Sequence, residues 1–373
     1  MVQGYHKALT VLLIVYIGIF CFLFFALPER SFSAAENRFL QTRPVLSRQK
    51  LLSGQFSQAA EKYLADQFVL RDSWIRLKAC FELLLQKMDH RGVYFGRDGY
   101  LLQKPQRREK EQLEQNISAV SNFAQQAGKS VYFLLAPVSA QILREKLPRY
   151  AVPPIVEPSA VREEMTADII FVDPSALLCA HKQENIYYKT DHHWTSRGAY
   201  YAYQELGKAM GFKALPEDSF VIKQVSDNFY GSLASQSGYR CQPDNLQLFL
   251  PKVKLPYTVE YVYRQKTSTT VYAWEHLRQK DQYAVFLDGN HALIKITTEN
   301  QTGRRLLVVK DSYANALVPF LIPHFSEIHL LDLRYFHHQV KDYLLQNEMT
   351  EILFVYNTIT FAEETSLRKL SSR

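Results

Sequence analysis

The chain has 373 residues, 47% hydrophobic and 22% charged, with a formal net charge of +7. These values are ordinary for a globular protein and exclude a disordered, collagen-like or small disulfide-stapled chain. They also exclude a polytopic transporter, because one stretch alone is long and apolar enough to cross a bilayer. That stretch, Ala8 to Leu27, carries no charge over twenty residues and ends at Pro28-Glu29-Arg30. A helix of that length matches the ~30 Å hydrocarbon core. Ser33-Ala34-Ala35 offers a cleavage site for a signal peptide. The apolar run exceeds the ~7–15 residues of a signal-peptide core, so an uncleaved anchor is favoured. Counting Lys and Arg around the span favours the opposite orientation. Long C-terminal domains translocate largely regardless of charge, however, so residues 1–7 are placed in the cytoplasm and the bulk outside, on a single-pass cell-membrane protein.

Residues 28–90 are expected to form a stalk (Ser31 to Ser53) and a helical region with apolar spacing from Gln55 to Met88. Gly92 to Leu102 alternates around Gly-Arg-Asp-Gly and predicts a hairpin. Arg108 to Gln126 predicts an amphipathic helix. Strands and helices then alternate. Ser130–Ala136, Asp168–Val172, Arg305–Val309, Glu327–Leu331 and Glu351–Tyr356 are apolar runs of buried parallel-strand type. Helices are expected at Ser196–Met210 (capped by Thr195, stopped by Gly211), from about Tyr313, and at His337–Met349. A β-rich insertion is expected over about 229–298. The reading is one α/β domain over 91–373, a parallel sheet with helices on both faces. Four cysteines occur: Cys21 in the anchor, and Cys80, Cys179 and Cys241, which leave open one pair plus a free thiol or three free thiols.

Function in parallel α/β sheets gathers at the C-terminal ends of strands. Two segments there carry reactive side chains. Thr190-Asp191-His192-His193-Trp194 sets a carboxylate beside imidazoles that it can orient. The bland alternative is a solvated surface turn. Adjacent residues are expected to point apart, so Asp191, His192 and His193 do not make a convincing metal set, and no metal or cofactor is expected. Lys310-Asp311-Ser312-Tyr313-Ala314-Asn315 follows a strand and opens a helix, the context of an activated serine. Taken alone, Ser312 or Asp311 reads as a helix cap. Together the segments supply nucleophile Ser312, base His193 and orienting Asp191.

The block YYKTDHHWTSRGAYYAY resembles the signature of the bacterial DHHW proteins, as do ENRFL (36–40), DQFVLRD (66–72), FYGSL (229–233) and VVKDSYANALVPFL (308–321). That family is similar to the SGNH-like proteins that O-acetylate alginate. The resemblance implies an SGNH-hydrolase-like fold, and acyl transfer or ester hydrolysis on a cell-surface or secreted glycan. It places His192 at the variable position of the Asp-x-His pair; acyl transfer outside the cell would need a membrane-bound partner delivering acyl groups, and the alternative is a hydrolytic role. The usual order of SGNH motifs is reversed here, and Lys310 stands where those hydrolases have Gly. Oxyanion donors are therefore first sought at the backbone of Ser312 and Tyr313, then at Gly231, Asn315 and Asn290. Trp194 and Tyr188 are candidates for stacking on a sugar, although core packing is the commoner role of such aromatics. The competing reading is a non-catalytic envelope protein that binds glycan or assists assembly. Nucleic-acid binding is disfavoured, since the basic residues make only short runs such as Arg107-Arg108-Glu109-Lys110. On a domain outside the membrane, a charge of +7 points to anionic headgroups or acidic wall polymer.

Overall fold

The computed structural model describes residues 2–33, 35–36, 38–105, 110–152, 156–239 and 242–370. Ala34, Asn37, the Arg107–Arg108 pair and Cys241 lie outside them. The chain divides into two compact units, Met1–Lys87 and Met88–Arg373.

In the first unit a helix runs over Val2–Ala26. Its Gly4–Ala26 portion is long and apolar enough to cross a membrane, and its most apolar stretch is unburied. The helical spacing after Gln55 resolves into two helices, Gln55–Asp66 and Arg71–Leu84, broken at Leu70 with φ 55°. The break falls where Asp66 is engaged elsewhere: its carboxylate takes both Arg38 Nη atoms, at 2.9 and 2.5 Å, and the Gln41 N–H at 2.9 Å. Arg71 Nη1 lies 2.8 Å from Glu36, and Arg30 lies 2.7 Å from Asp72. The segment read as a stalk is thus tied back to the helices. The blocks beginning Glu36 and Asp66 form one partly buried ion network centred on buried Asp66.

The second unit is built on an eight-stranded sheet. Its strands in chain order are β1 Ser130–Ala136, β2 Ile169–Val172, β3 Tyr257–Tyr261, β4 Lys266–Ser268, β5 Leu293–Thr298, β6 Arg305–Lys310, β7 Glu327–Leu331 and β8 Glu351–Asn357. The spatial order is β4-β3-β5-β7-β6-β8-β1-β2. Strands β7, β6, β8, β1 and β2 are mutually parallel. Strands β5, β3 and β4 extend the sheet antiparallel. The sheet is thus mixed where a parallel one is expected, and the β-rich stretch expected over about 229–298 is divided between two sheets. Residues 257–298 belong to the main sheet, and a separate antiparallel ribbon is made by Phe220–Phe229 with Asp244–Pro251. The sequence pattern carries the distinction: Tyr257–Tyr261 alternates buried and exposed, whereas β6 is buried along almost its whole length.

Four helices matter for the site: α1 Lys110–Ala127, α2 Ser196–Met210, α3 Ala314–Leu321 and α4 Val340–Gln346. The run RLLVV is apolar throughout because both faces are covered. Leu306 and Val308 pack with Tyr200, Tyr203 and Leu317 on one side. Leu307 and Val309 pack with Val120, Phe123 and Tyr343 on the other. Helix α2 has the expected ends: the Thr195 hydroxyl accepts the Gly198 N–H, and Gly211 closes it at φ 71°. The start expected for α1 at Arg108 lies outside the described residues. The expected hairpin is present as Val93–Phe95 paired with Leu101–Gln103. Cys21, Cys80 and Cys179 are free and exposed.

Candidate active site

Ser312 sits just past the C-terminal end of β6, in the turn that opens α3. The turn is shaped by Asp311, which is buried. Its Oδ1 accepts the Tyr313 N–H at 2.8 Å, and its Oδ2 accepts the backbone and side-chain N–H of Asn357 at the end of β8, both at 2.7 Å. Burial pushes the Asp311 carboxyl up, against these donors. Asp311 is thus the brace of the turn, and neither it nor Ser312 caps α3.

The Thr190–Trp194 segment is a tight loop pinched by a bridge between Tyr187 and Trp194. Buried Asp244 fixes its start, accepting the N–H of Lys189 and Thr190 at 2.8 Å each and the Thr190 hydroxyl at 2.6 Å. Trp194 fixes its end, donating its indole N–H to the Tyr313 carbonyl at 3.0 Å. The Tyr313 hydroxyl donates to the His192 carbonyl. Residues over a hundred positions apart are thereby held face to face.

Between them the three expected residues meet. His193 Nε2 lies 2.7 Å from Ser312 Oγ, and His193 Nδ1 lies 2.6 Å from Asp191 Oδ1. Asp191 Oδ1 also accepts the His193 N–H at 2.9 Å, and Oδ2 accepts the Ser232 N–H at 2.6 Å. Asp191 and His193 are buried while Ser312 is half-buried. Burial pushes the Asp191 carboxyl up, but the neighbouring imidazoles and the Ser232 N–H outweigh it and hold the group well below the usual carboxylate range. A hydroxyl, an imidazole and a carboxylate in this line can move a proton from serine to histidine while the carboxylate fixes the ring.

The other predicted residues divide. Tyr188 and Trp194 are fully buried and cannot stack on a sugar. Trp194 ties the two segments, and Tyr188 packs edge-on against Phe229. The Tyr313 N–H is spent on Asp311, and the Gly231 N–H on the Thr190 hydroxyl at 3.0 Å. Asn315 is buried; its amide donates to the Gly289 carbonyl and to Asn290, both at 3.3 Å. These three are not free oxyanion donors. Among the described residues the Ser312 N–H has no protein acceptor. Asn290 is exposed, and its Oδ1 faces Lys310 Nζ at 3.1 Å. Lysine can only donate, so the Asn290 carboxamide is oriented with its NH₂ away from Lys310. Lys310 is itself buried, which pushes its pKa down to about 8.

The two histidines do not point apart. Their ring centroids are 3.8 Å from each other, because the loop turns both to one side. Asp191, His192 and His193 thus offer converging donor atoms. Both His193 nitrogens and His192 Nδ1, which is 2.6 Å from Ser232 Oγ, are already engaged. A second converging set, Glu275, His276 and Asp288, has Lys266 at 3.1 Å from its central carboxylate.

Three further residues contribute: Tyr283 carries no motif signal, while Ser232 and Gly231 lie in the FYGSL block but in roles the block does not announce. Tyr283 lies flat on His193, with centroids 3.8 Å apart and planes at 7°. Ser232 acts through its backbone. Gly231 makes room: a Cβ there would come within 2.2–2.6 Å of the Asp191 side chain.

Fold and site together define an α/β protein with a serine, histidine and aspartate aligned at the C-terminal edge of a largely parallel sheet. The DHHW protein family model matches residues 114–331, more than half of the chain, and the chain belongs to that family. A probable alginate O-acetylase, AlgJ, of Pseudomonas syringae pv. tomato is 25% identical over 195 residues, covering 47% of this chain and 48% of that protein. The chain thus spans about half the length of this curated relative. A DHHW family protein from Eubacterium siraeum has the same fold, with TM-score 0.65 at 24% identity over 76% of this chain and 96% of its own. Bacillus cereus PatB1, seen with a sulfonyl adduct, gives 0.63 at 24% identity over 74% of this chain and 97% of its own.

Proposed function

We propose that this protein is a membrane-anchored, extracytoplasmic serine O-acyltransferase or carbohydrate esterase, handling acyl groups, of which acetyl is the simplest, on a cell-envelope or secreted glycan. The observation that carries the reading is the aligned hydrogen-bonded series Ser312, His193, Asp191, at 2.7 and 2.6 Å. The AlgJ relative, a probable alginate O-acetylase, supports acetyl as the group and polysaccharide as the substrate class.

Ser312 Oγ attacks the donor's acyl carbonyl while His193 Nε2 takes the hydroxyl proton. Asp191 holds the ring and stabilises the imidazolium. The oxyanion is met by the Ser312 N–H, which has no protein acceptor among the described residues. As the intermediate collapses, the bond from the acyl carbon to the donor oxygen breaks, and His193 returns its proton to that oxygen. A glycan hydroxyl, or water in the esterase case, then attacks the acyl-serine as His193 removes its proton. Ser312 is regenerated when the leaving Oγ recovers that proton. A membrane-bound partner supplies the acyl donor outside the cell.

The test is labelling of the full chain with a fluorophosphonate or a sulfonyl fluoride. Native protein should label and Ser312→Ala should not. A native protein that stays unlabelled, or equal labelling of Ser312→Ala, overturns the catalytic reading in favour of a non-catalytic glycan-binding or assembly role.

A further inference from the structure

The helix pair Gln55–Asp66 and Arg71–Leu84 turns an apolar face outward. Leu70, Trp74, Leu77, Phe81 and Leu84 recur at i, i+4, i+7, i+11 and i+14, which places them on one side of the second helix. They are 66, 40, 46, 56 and 77% exposed. Ala79, on the opposite side, is fully buried. Leu64 and Phe68 carry the exposed stripe toward the first helix. Water-exposed surface of this kind marks a contact that is made elsewhere.

What covers it is indicated by the apolar N-terminal helix. Phe20 stacks on Phe68 with centroids 5.7 Å apart and planes at 17°, and lies 6.3 Å from Trp74. Phe24 meets Tyr63 edge-on at 5.9 Å. Phe20 is six residues before the helix ends at Ala26, about 9 Å along its axis at 1.5 Å per residue. Side chains that touch it there reach the depth of about 5–10 Å at which an interfacial amphipathic helix buries its apolar face. A tryptophan is the residue that favours such a depth. Polar composition agrees: residues 28–87 contain ten Lys and Arg against six Asp and Glu. Arg48, Lys50, Lys62 and Lys78 make no ion pair among the described residues, which leaves them for anionic headgroups.

We infer that the helix pair 55–84 lies in the membrane interface, its Leu70–Leu84 stripe seated at the acyl-chain boundary, as a second membrane contact beside the span. This rests on the reading that the N-terminal helix crosses the bilayer. The stripe's spacing would also suit a second copy of the chain, but continuity with the span favours lipid.

The test uses the full chain in vesicles of phosphatidylcholine and phosphatidylglycerol, with Trp74→Phe and Trp274→Phe as background and buried Trp194 retained. Phe81→Trp should be blue-shifted and quenched about twofold by lipids brominated near the headgroup, as expected for a residue seated 5–10 Å into the boundary. Arg76→Trp should be unaffected. No quenching at Phe81→Trp overturns the inference, and alkaline carbonate extraction of the native chain separates the causes. A chain that resists extraction keeps the span and loses only the interfacial helices. A chain that is extracted loses both. Disulfide-linked dimers of Leu77→Cys in a chain whose four native cysteines are replaced by Ser, without quenching at Phe81→Trp, assign the stripe to a second copy and overturn the lipid contact.

Discussion

Gly231→Ala gives a sharp test of the site, because it alters no group with a chemical role. Gly231 has φ −81°, which any residue can adopt, so the substitution carries no backbone penalty. The obstacle is space. The new Cβ would lie 2.2 Å from Asp191 Cβ, 2.3 Å from Oδ2 and 2.6 Å from Cγ. Carbon–carbon contacts settle at about 3.5–4.0 Å, so Asp191 must retreat by more than about 1 Å. Its bonds to His193 Nδ1 and the Ser232 N–H, both 2.6 Å now, cannot survive that movement intact. A displacement of about 1 Å costs roughly 10²-fold in rate, and full loss of the orienting carboxylate roughly 10⁴-fold. Overpacking should cost about 1–3 kcal/mol of stability. Turnover of p-nitrophenyl acetate and thermal melting would be read on native protein, Gly231→Ala and Asp191→Asn. A folded Gly231→Ala that keeps turnover within about threefold of native would refute the idea that Asp191 must stay where it is.

Three further predictions follow from neighbouring contacts. Tyr283→Phe keeps the ring on His193 and loses only the hydroxyl's 3.3 Å bond to the Ser312 carbonyl, so it should lower turnover by no more than about threefold, whereas Tyr283→Leu should reduce it by about tenfold or more by freeing the imidazole; equal rates would dismiss the stack. Trp194→Phe deletes the indole N–H that holds the Tyr313 carbonyl and should lower stability by about 1–2 kcal/mol in urea unfolding, with a larger loss of turnover; an unchanged midpoint would show the tie to be idle. Lys310 has its pKa pushed by burial from 10.5 down to about 8. Between those values the unfolded chain holds a proton that the folded chain has released, so this group raises stability as pH increases from 8 to 10.5. Subtracting the Lys310→Met curve from the native one should reveal a gain approaching about 3 kcal/mol across that window, and parallel curves would refute it.

How much of this was legible depended on how local the cause was. The strand Ser130–Ala136 and the helix Ser196–Met210 stand where the sequence placed them, since burial on both faces, a Thr cap and a terminal Gly are signals within a few residues. Asp191, His193 and Ser312 could be singled out because each carries a reactive group in a recognisable setting. The sequence could not tell which amide hydrogens were free. Tyr313, Gly231 and Asn315 looked available until their partners Asp311, Thr190, Gly289 and Asn290 were in place. Core packing is the role expected of most aromatics around the motif, and Tyr187, Tyr188, Trp194, Tyr200 and Tyr201 are all buried, which removes Tyr188 and Trp194 as stacking platforms.

Length, composition and charge at the outset established a globular chain with one apolar stretch and a basic balance. Local pattern added the alternating strands and helices and the residue types capable of acyl chemistry. Those follow from sequence because periodicity, caps and side-chain chemistry are properties of neighbouring residues. Tertiary structure alone decided that residues 257–298 join the main sheet, that Tyr283 lies on His193, and that Gly231 leaves the space Asp191 occupies. It also turned the two adjacent histidines to the same side. Each of these is a contact between segments tens to more than a hundred residues apart, or a loop shape imposed by such contacts, and no local propensity encodes it.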